Sequence, residues 1–354
     1  MVVQTSGLGF VGQSVHRIED DRLLVGDGRF VADVGPEGRL HAAFVRSPFP
    51  HAVVKSVEVD AARSLAGVVA VYTGAEINRD IHPFVPMAAS PHGFTPLYKA
   101  MADRRVRHVG DPVALVVAES RAVAEDAVEL VVVDYDLLEG VGSVEAALAS
   151  DAPHLWEEAD GNTLLDQSDH FGDVEAVFAA ADRVVSLDLV SHRQANQPME
   201  TRGTVVEIDP ETGHLTIHNT SQSPHVLKWT VAAQTVETGR VRSLWRFLRD
   251  RPRRRAVIAA GRAFRAENAE DLAKQDSSGM RRQVRRDRSL LTHLGRMGLG
   301  LLAVDDQPTV VSVDIGGGFG SKGPVAREDI PIVVAARRLG RCVEWIEDLS
   351  LIHI

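Results

Sequence analysis

The chain has 354 residues, of which 44% are hydrophobic and 25% charged, and its formal net charge is −10. That length and balance exclude a disordered polymer and a single small domain, and fit two core-forming units. A single cysteine, Cys342, excludes an internal disulfide, a thiolate zinc site or a cysteine-ligated iron–sulfur cluster within one chain, so an electron relay would have to belong to a partner. The opening MVVQTSGLGFVGQSVHRIEDD has no basic stretch followed by an apolar leader, and no apolar run reaches the ~18 residues of a membrane span, which makes the cytoplasm the default location. GDGRFVADV, residues 26–34, reads as a turn entering a short strand, and LHAAFVRSPFPHAVVKSVEVD follows with the alternation of half-buried strands. Asp60 is placed to cap a short helix over 61–65, and GVVAVYTGAEI returns to a buried strand. Prolines at 83, 86, 91 and 96 make the stretch to Met101 irregular. VGDPVALVVAE is then turn and strand, SRAVAEDAVELV a helix with Ser120 as N-cap, and VVVDYDLL a further strand. Strands and helices without a regular βαβ rhythm give an α+β fold class.

Past Gly140, VGSVEAALASDAPHL connects two units and carries a short helical piece, with a boundary near residue 150. DVEAVFAAADRVVSLDLVSHRQANQPMETRGTVVEIDPETGHLTIHNTSQSPH predicts a helix followed by several strands, with DPETG as a tight turn between VVEI and HLTIH. From about 238 to 302 the chain turns helical in periodicity and strongly basic, as in RFLRDRPRRR and RRQVRRDR, and looks inserted. Its plain reading is a helical excursion on the surface. Docking to an acidic partner or weak contact with an anionic membrane are sharper options, and nucleic-acid binding is the outsider because no aromatic stacking ladder accompanies the charge.

TVVSVDI then leads as a strand into GGGFGSKG, and DIPIVVAARRLG follows as a helix. Glycines at 316, 317, 318, 320 and 323 let a ligand approach the main chain, whose unpaired N–H groups suit an anion such as phosphate. Gly318, Gly320 and Gly323 satisfy G-x-G-x-x-G, and VEWIED supplies downstream acids, as a dinucleotide fold would. A purely structural glycine turn is the bland alternative. Against the dinucleotide reading stand the three consecutive glycines, Phe319, Pro324 and the missing βαβ series. His214 and His218 are four apart in a predicted strand, about 13 Å at ~3.3 Å per residue, and cannot share a metal. His192 and His225 are lone histidines, and no HExxH, Ser/His/Asp or P-loop pattern is present.

GGGFG followed by a small polar residue and lysine resembles the cofactor loop in the large subunit of the xanthine dehydrogenase/aldehyde oxidase family of molybdenum hydroxylases, the carbon monoxide dehydrogenase large chain included. There the backbone amides and an aromatic residue lie against the pyranopterin-dithiolene ligand and the metal, a role the resemblance gives to Gly317, Gly318, Phe319 and Gly320. HRQANQPMETRGTVVEIDPETGHLTIHNTSQSPH is similar to the family segment running from a PMEPRG-like element to a glutamine beside the apical oxo ligand, here Gln222. Taken alone, Gln222 is a strand or turn glutamine and Glu200 a salt-bridged carboxylate. The resemblance makes Glu200 a pocket neighbour. RIEDDRLLVGDGRFVADV, FVRSPFPHAVV and GDPVALVVAESRAVAEDAVELVVVDYDLL resemble the family's N-terminal α/β-hammerhead domain.

The resemblance implies a tail over 1–15, a hammerhead domain over 16–140, a linker over 141–155 and the first part of a molybdopterin-binding domain over 156–349, with the basic insertion inside it. It implies a molybdenum–molybdopterin cofactor in the cytosine dinucleotide form, iron–sulfur and FAD centres on partner subunits, a hetero-oligomer and a small-molecule substrate. The activity it implies is oxidation of an aldehyde or heteroaromatic carbon with oxygen from water. The general-base glutamate of the family is expected beyond the C-terminus, so no catalytic residue is assigned. LSLIHI departs from the family, and residues 350–354 read as a non-native end. Xanthine-specific members place a glutamate after the lysine, where this chain has Gly323 and Pro324. An NAD(P)-dependent oxidoreductase and an inactive scaffold are the alternatives.

Overall fold

A computed structural model describes residues 12–83, 96–164, 171–192, 194, 196–235, 307–323 and 325–348. The alternating runs become strands β1 (Leu40–Arg46), β2 (Ala52–Glu58), β3 (Val68–Thr73), β4 (Arg105–Val106), β5 (Pro112–Ala118) and β6 (Val132–Leu137), then β7 (Gly203–Ile208), β8 (Leu215–Asn219), β9 (Thr309–Ser312) and β10 (Val343–Ile346). Seven of them form one sheet in the order β3-β5-β1-β10-β7-β8-β9, and β4-β2-β6 form a second. Only β1–β10 and β8–β9 are parallel pairs. Strands from the first 140 residues and strands from beyond residue 200 therefore share a sheet, joined where Leu40 pairs with Val343.

The buried set follows from strand periodicity. Every residue of β5 is buried: Ala114, Val116 and Ala118 join one cluster, and Leu115 and Val117 join another on the opposite face. The first face is covered by helix α4 (Arg121–Glu129), which the Ser120 hydroxyl caps by accepting the Val123 N–H, and which buries Ala124 and Ala127. The second face is shared by both halves of the chain. Leu40, Ala42 and Phe44 of β1 pack in one cluster with Val206, Ile217 and Trp345, and the Phe44 and Trp345 rings meet edge to face at 5.6 Å. Helices α7 (Pro224–Gln234) and α8 (Asp329–Leu339) close this cluster. Residues 330 to 336 of α8 are all buried, as an apolar stretch without a polar face requires, and Gly340 at φ 61° ends the helix in the left-handed conformation.

Of four further short helices, α2 (Asp60–Arg63) and α3 (Gly74–Ile77) add Ala62 and Ile77 to these clusters, while α1 (Asp20–Leu24) and α5 (Val144–Leu148) bury no residue. A fifth, α6 (Val174–Ala179), precedes the cofactor-resembling segment and is capped by Asp173. Three local expectations are corrected. GRFVADV holds no strand but a 3-10 turn, Val31–Asp33, because the Asp33 carboxylate accepts the Phe30 N–H and closes the chain on itself. Asp60 is the first residue of α2, with Val59 in the cap position and no side-chain cap bond. The run RVVSLDLVSH after α6 forms no strand among the described residues: Val185, Leu187, Leu189 and Val190 are exposed, with no neighbouring strand to give their alternation a buried face. The basic stretch and residues 350–354 lie outside the described residues. Among the described residues no helix is long and apolar enough to cross a membrane.

The start of α8 carries an unusual pair of adjacent buried carboxylates. Burial, then the charge of neighbouring Glu328, pushes the Asp329 carboxyl up to about 7, against the pull of hydrogen bonds from Asn219 and the Ala326 amide. Glu328 is held below its ordinary value: burial opposes its charge, but Arg202 and Arg46 outweigh that. Native Asp329 therefore holds its proton over a range where the unfolded chain has lost it, so this group's contribution to stability falls as pH rises from about 4 to about 7. Asp329→Asn is expected to flatten the pH dependence of unfolding in that window. An unchanged slope in denaturant melts across it would refute the assignment.

Candidate functional site

Strand polarity assembles the site. β8 and β9 run parallel with Asn219 beside Ser312, and β7 runs antiparallel to β8 with Thr204 beside Asn219. The start of β7 and the ends of β8 and β9 thus lie at one edge of the sheet. Residues 196–202, 220–223 and 313–323 are delivered there together.

The glycine loop bends back on itself. Ser321 N–H donates to the Gly318 carbonyl at 2.9 Å and Gly323 N–H to the Gly320 carbonyl at 3.2 Å. Gly317 and Gly320 have φ of 90° and 94°, and Phe319 holds φ 49°, a left-handed conformation that only surrounding constraints maintain in a non-glycine residue. Phe319 is 71% exposed, so this conformation is not explained by core packing. The Asn196 side-chain amide donates to the Phe319 carbonyl.

Gln222 lies against this loop. Gly320 N–H donates to its Oε1 at 3.1 Å, and the Gln222 N–H donates to the Lys322 carbonyl at 2.8 Å. Because a backbone amide can only donate, Oε1 must face the loop, and the side-chain NH₂ is left as a donor on an exposed residue. A Cβ added at Gly318 would stand 2.6 Å from Gln222 Cδ, and one at Gly317 2.8 Å from the Phe319 ring, so a side chain at either position would have to displace Gln222 or Phe319. The amides of residues 317–319 meet no acceptor among the described residues. The structure thus brings Gln222, Gly317, Gly318, Phe319 and Gly320 to one place.

Beneath the loop, Glu200 Oε2 accepts from Gly316 N–H at 2.7 Å and from Lys322 Nζ at 2.7 Å, and the Lys322 side chain has no exposure. Just upstream, Asp314 is gripped by both Arg22 guanidinium nitrogens and by the Arg29 N–H, which hold its carboxyl far below the usual carboxylate range. Asn196, Asp314 and Lys322 were not singled out as site residues from the sequence, and Glu200 entered only as a pocket neighbour implied by the resemblance, with no sign of its pairing to Lys322. Their only signal was proximity in sequence to PMETRG and to the glycines.

His214 Nε2 contacts Thr309 Oγ1 and His218 Nε2 contacts Glu207, so the two histidines turn to different partners, and no metal-holding cluster of His, Cys, Asp or Glu occurs among the described residues. The dinucleotide reading gains no support. The sheet is largely antiparallel, and α8 begins at Asp329, six residues past Gly323, where a dinucleotide fold would start its helix within the glycine motif.

Known families account for both halves. Residues 25–139 match the aldehyde oxidase and xanthine dehydrogenase a/b hammerhead domain, and residues 155–243 and 299–351 match the molybdopterin cofactor-binding domain. The chain belongs to the molybdenum hydroxylase family, as part of a large subunit. The break in the second match falls within the basic stretch. Among related molybdenum hydroxylases, the nicotine 6-hydroxylase large subunit of Paenarthrobacter nicotinovorans is 29% identical over 96% of this chain and 33% of its own length. The carbon monoxide dehydrogenase large chain of Hydrogenophaga pseudoflava is 30% identical over 93% of this chain and 34% of its own. The crystal structure of quinoline 2-oxidoreductase from Pseudomonas putida 86 superposes with a TM-score of 0.72 at 29% identity, covering 97% of this chain and 35% of that one. The chain spans about a third of the length of the molybdenum hydroxylases it matches.

Proposed function

We propose that the protein to which this chain belongs oxidises an aldehyde or a heteroaromatic carbon by hydroxylation with oxygen taken from water, and that Gln222 and residues 317–320 hold its molybdenum–molybdopterin cofactor. The single observation that carries this reading is the closure of Gln222 onto the glycine loop, with Gly320 N–H on its Oε1. The residues fit the group. Main chain is bare where a Cβ would strike Gln222 and Phe319, amides 317–319 stand without acceptors among the described residues, and an exposed amide NH₂ lies beside them.

When bound, the cofactor supplies a Lewis acid and a two-electron oxidant, for the overall change RH + H₂O → ROH + 2H⁺ + 2e⁻. The Gln222 NH₂ would donate a hydrogen bond to an acceptor atom of the bound group, a charge-complementary role open to an amide and closed to a carboxylate. The amides of Gly317 and Gly318 would hydrogen-bond acceptor atoms of the anionic group, and Phe319 would lay an apolar ring over the same face and exclude water. Glu200 does not act as base, since its Oε2 is occupied by Gly316 and Lys322 and its Oε1 is buried. The electrons would pass to iron–sulfur and FAD subunits of a hetero-oligomer, and the bound group would be the cytosine dinucleotide form of the cofactor. Support for an assembly comes from relatives named as a large subunit and a large chain. The glycine at 323 disfavours a purine, because no carboxylate stands at that position to read one.

The test is to purify the complex containing this chain. Molybdenum and a cytosine nucleotide should be released in near-equal amounts per chain, and label from isotopic water should enter the oxidised product. A folded, complete complex without molybdenum would overturn the reading.

A further inference from the structure

We propose that Glu200 and Lys322 are a positioning pair that fixes the glycine loop relative to Gln222, and with it the direction in which the Gln222 amide faces the cofactor. The proposal rests on the molybdenum reading above and assigns these two residues a role within it. A lysine is almost never fully buried unless paired, and the Lys322 side chain has no exposure, with Glu200 as its ion-pair partner at 2.7 Å. Removing both charges from water costs more than their attraction reliably returns, so stability alone is a poor reason for such a pair.

Position is a better one. Glu200 Oε2 takes the Gly316 N–H as well as the ammonium, so a single oxygen grips the loop at its first glycine and again at residue 322. Lys322 in turn offers its carbonyl to the Gln222 N–H, and Gln222 Oε1 accepts from Gly320. The bonds close a circuit from Glu200 through Lys322, Gln222 and Gly320 back through the loop to Gly316. The circuit has little slack. A Cβ at Gly316 would lie 2.7 Å from Glu200 Cβ, and one at Gly318 would lie 2.6 Å from Gln222 Cδ. Moving the carboxylate therefore moves the loop, and moving the loop turns the Gln222 amide. Neither Glu200 nor Lys322 needs to touch the cofactor for this.

The experiment compares two variants of the holoenzyme complex. E200Q keeps an oxygen that can accept from both Gly316 and Lys322. E200L/K322M removes the acceptor and both charges together, so no unpaired buried ion remains to unfold the protein. Amide hydrogen exchange over residues 316–322, the paramagnetic resonance signature of the bound molybdenum, and kcat against KM are read for each. E200Q should lose stability, because its amide leaves the Lys322 ammonium without a counter-ion, yet where folded it should stay closer to native in loop exchange and signature than the double variant. E200L/K322M should exchange faster in the loop, shift the signature and lose about 10- to 100-fold in kcat with a smaller change in KM. A folded E200L/K322M with native loop exchange, signature and kcat would reduce the pair to a structural ion pair and overturn the proposal. If the native complex holds no molybdenum, the functional reading fails separately, while loop exchange still reports on the circuit.

Discussion

Glu328→Ala is expected to lower the unfolding free energy by about 3–5 kcal/mol, the cost of leaving buried charge without its counter-ion. Glu328 is fully enclosed just before α8 and accepts from Arg46 on β1 at 2.8 Å, with Arg202 ahead of β7 at 3.5 Å. Arg46 is itself mostly buried, and its Nε and Nη2 already lack partners, so it has no second carboxylate to turn to. Arg202 is better provided. Burial disfavours its charge, but Glu347 and Glu328 outweigh that and hold its pKa above the ordinary arginine value. The damage should therefore fall on the side of β1, where the two halves of the chain meet. The same variant removes the like charge beside Asp329, so its pKa should drop and the pH dependence between about 4 and 7 should weaken along with the stability. Chemical denaturation of purified protein measures both, and a loss under about 1 kcal/mol would show that Arg46 finds compensation.

Gly318→Ala should separate function from folding. Gly318 does not sit in the left-handed region, so alanine brings no backbone strain there, and what it strikes is the Gln222 side chain at 2.6 to 2.9 Å. A flexible amide can swing away at little cost, so the melting temperature should stay within a few degrees of native. The displaced Gln222 would give up the Gly320 N–H and its aim at the cofactor, and turnover should fall about 10- to 100-fold, the range seen when outer ligand contacts are removed. Equal turnover in the two proteins would remove Gln222 from the site. A large loss of stability would instead make the Gly318–Gln222 contact a packing requirement.

Much of this fold is legible in the sequence, and the reasons differ by feature. Strands β1 and β2 announce themselves by alternation and β5 by an unbroken apolar run, and the DPETG turn by an Asp209 carboxylate that accepts from the Glu211 and Thr212 amides. The glycine loop was legible from its own glycines, whereas Gln222 came from motif resemblance, since nothing local to IHNTSQSP marks a glutamine for a ligand. RVVSLDLVSH shows the limit of periodicity: the pattern fits a strand, but a strand needs a neighbour, and pairing is not written in the segment itself. Lys322 was similarly opaque, because a lysine among glycines reads as a solvated charge until Glu200, distant in sequence, is brought under it. The shared sheet is the same kind of fact. Leu40 and Val343 give no local sign that they will pair.

That last pairing has a bearing on how the protein is made. β10 fills the slot between β1 and β7, and residues 343–346 leave a ribosome long after both neighbours. Until they arrive, Leu40–Arg46 and Gly203–Ile208 each present an open row of main-chain donors and acceptors to other nascent chains. The glycine loop and its carboxylate anchor hang from β7, β8 and β9 on the far side of that slot, so the part of the sheet that carries them is joined to β1 only once β10 is in place.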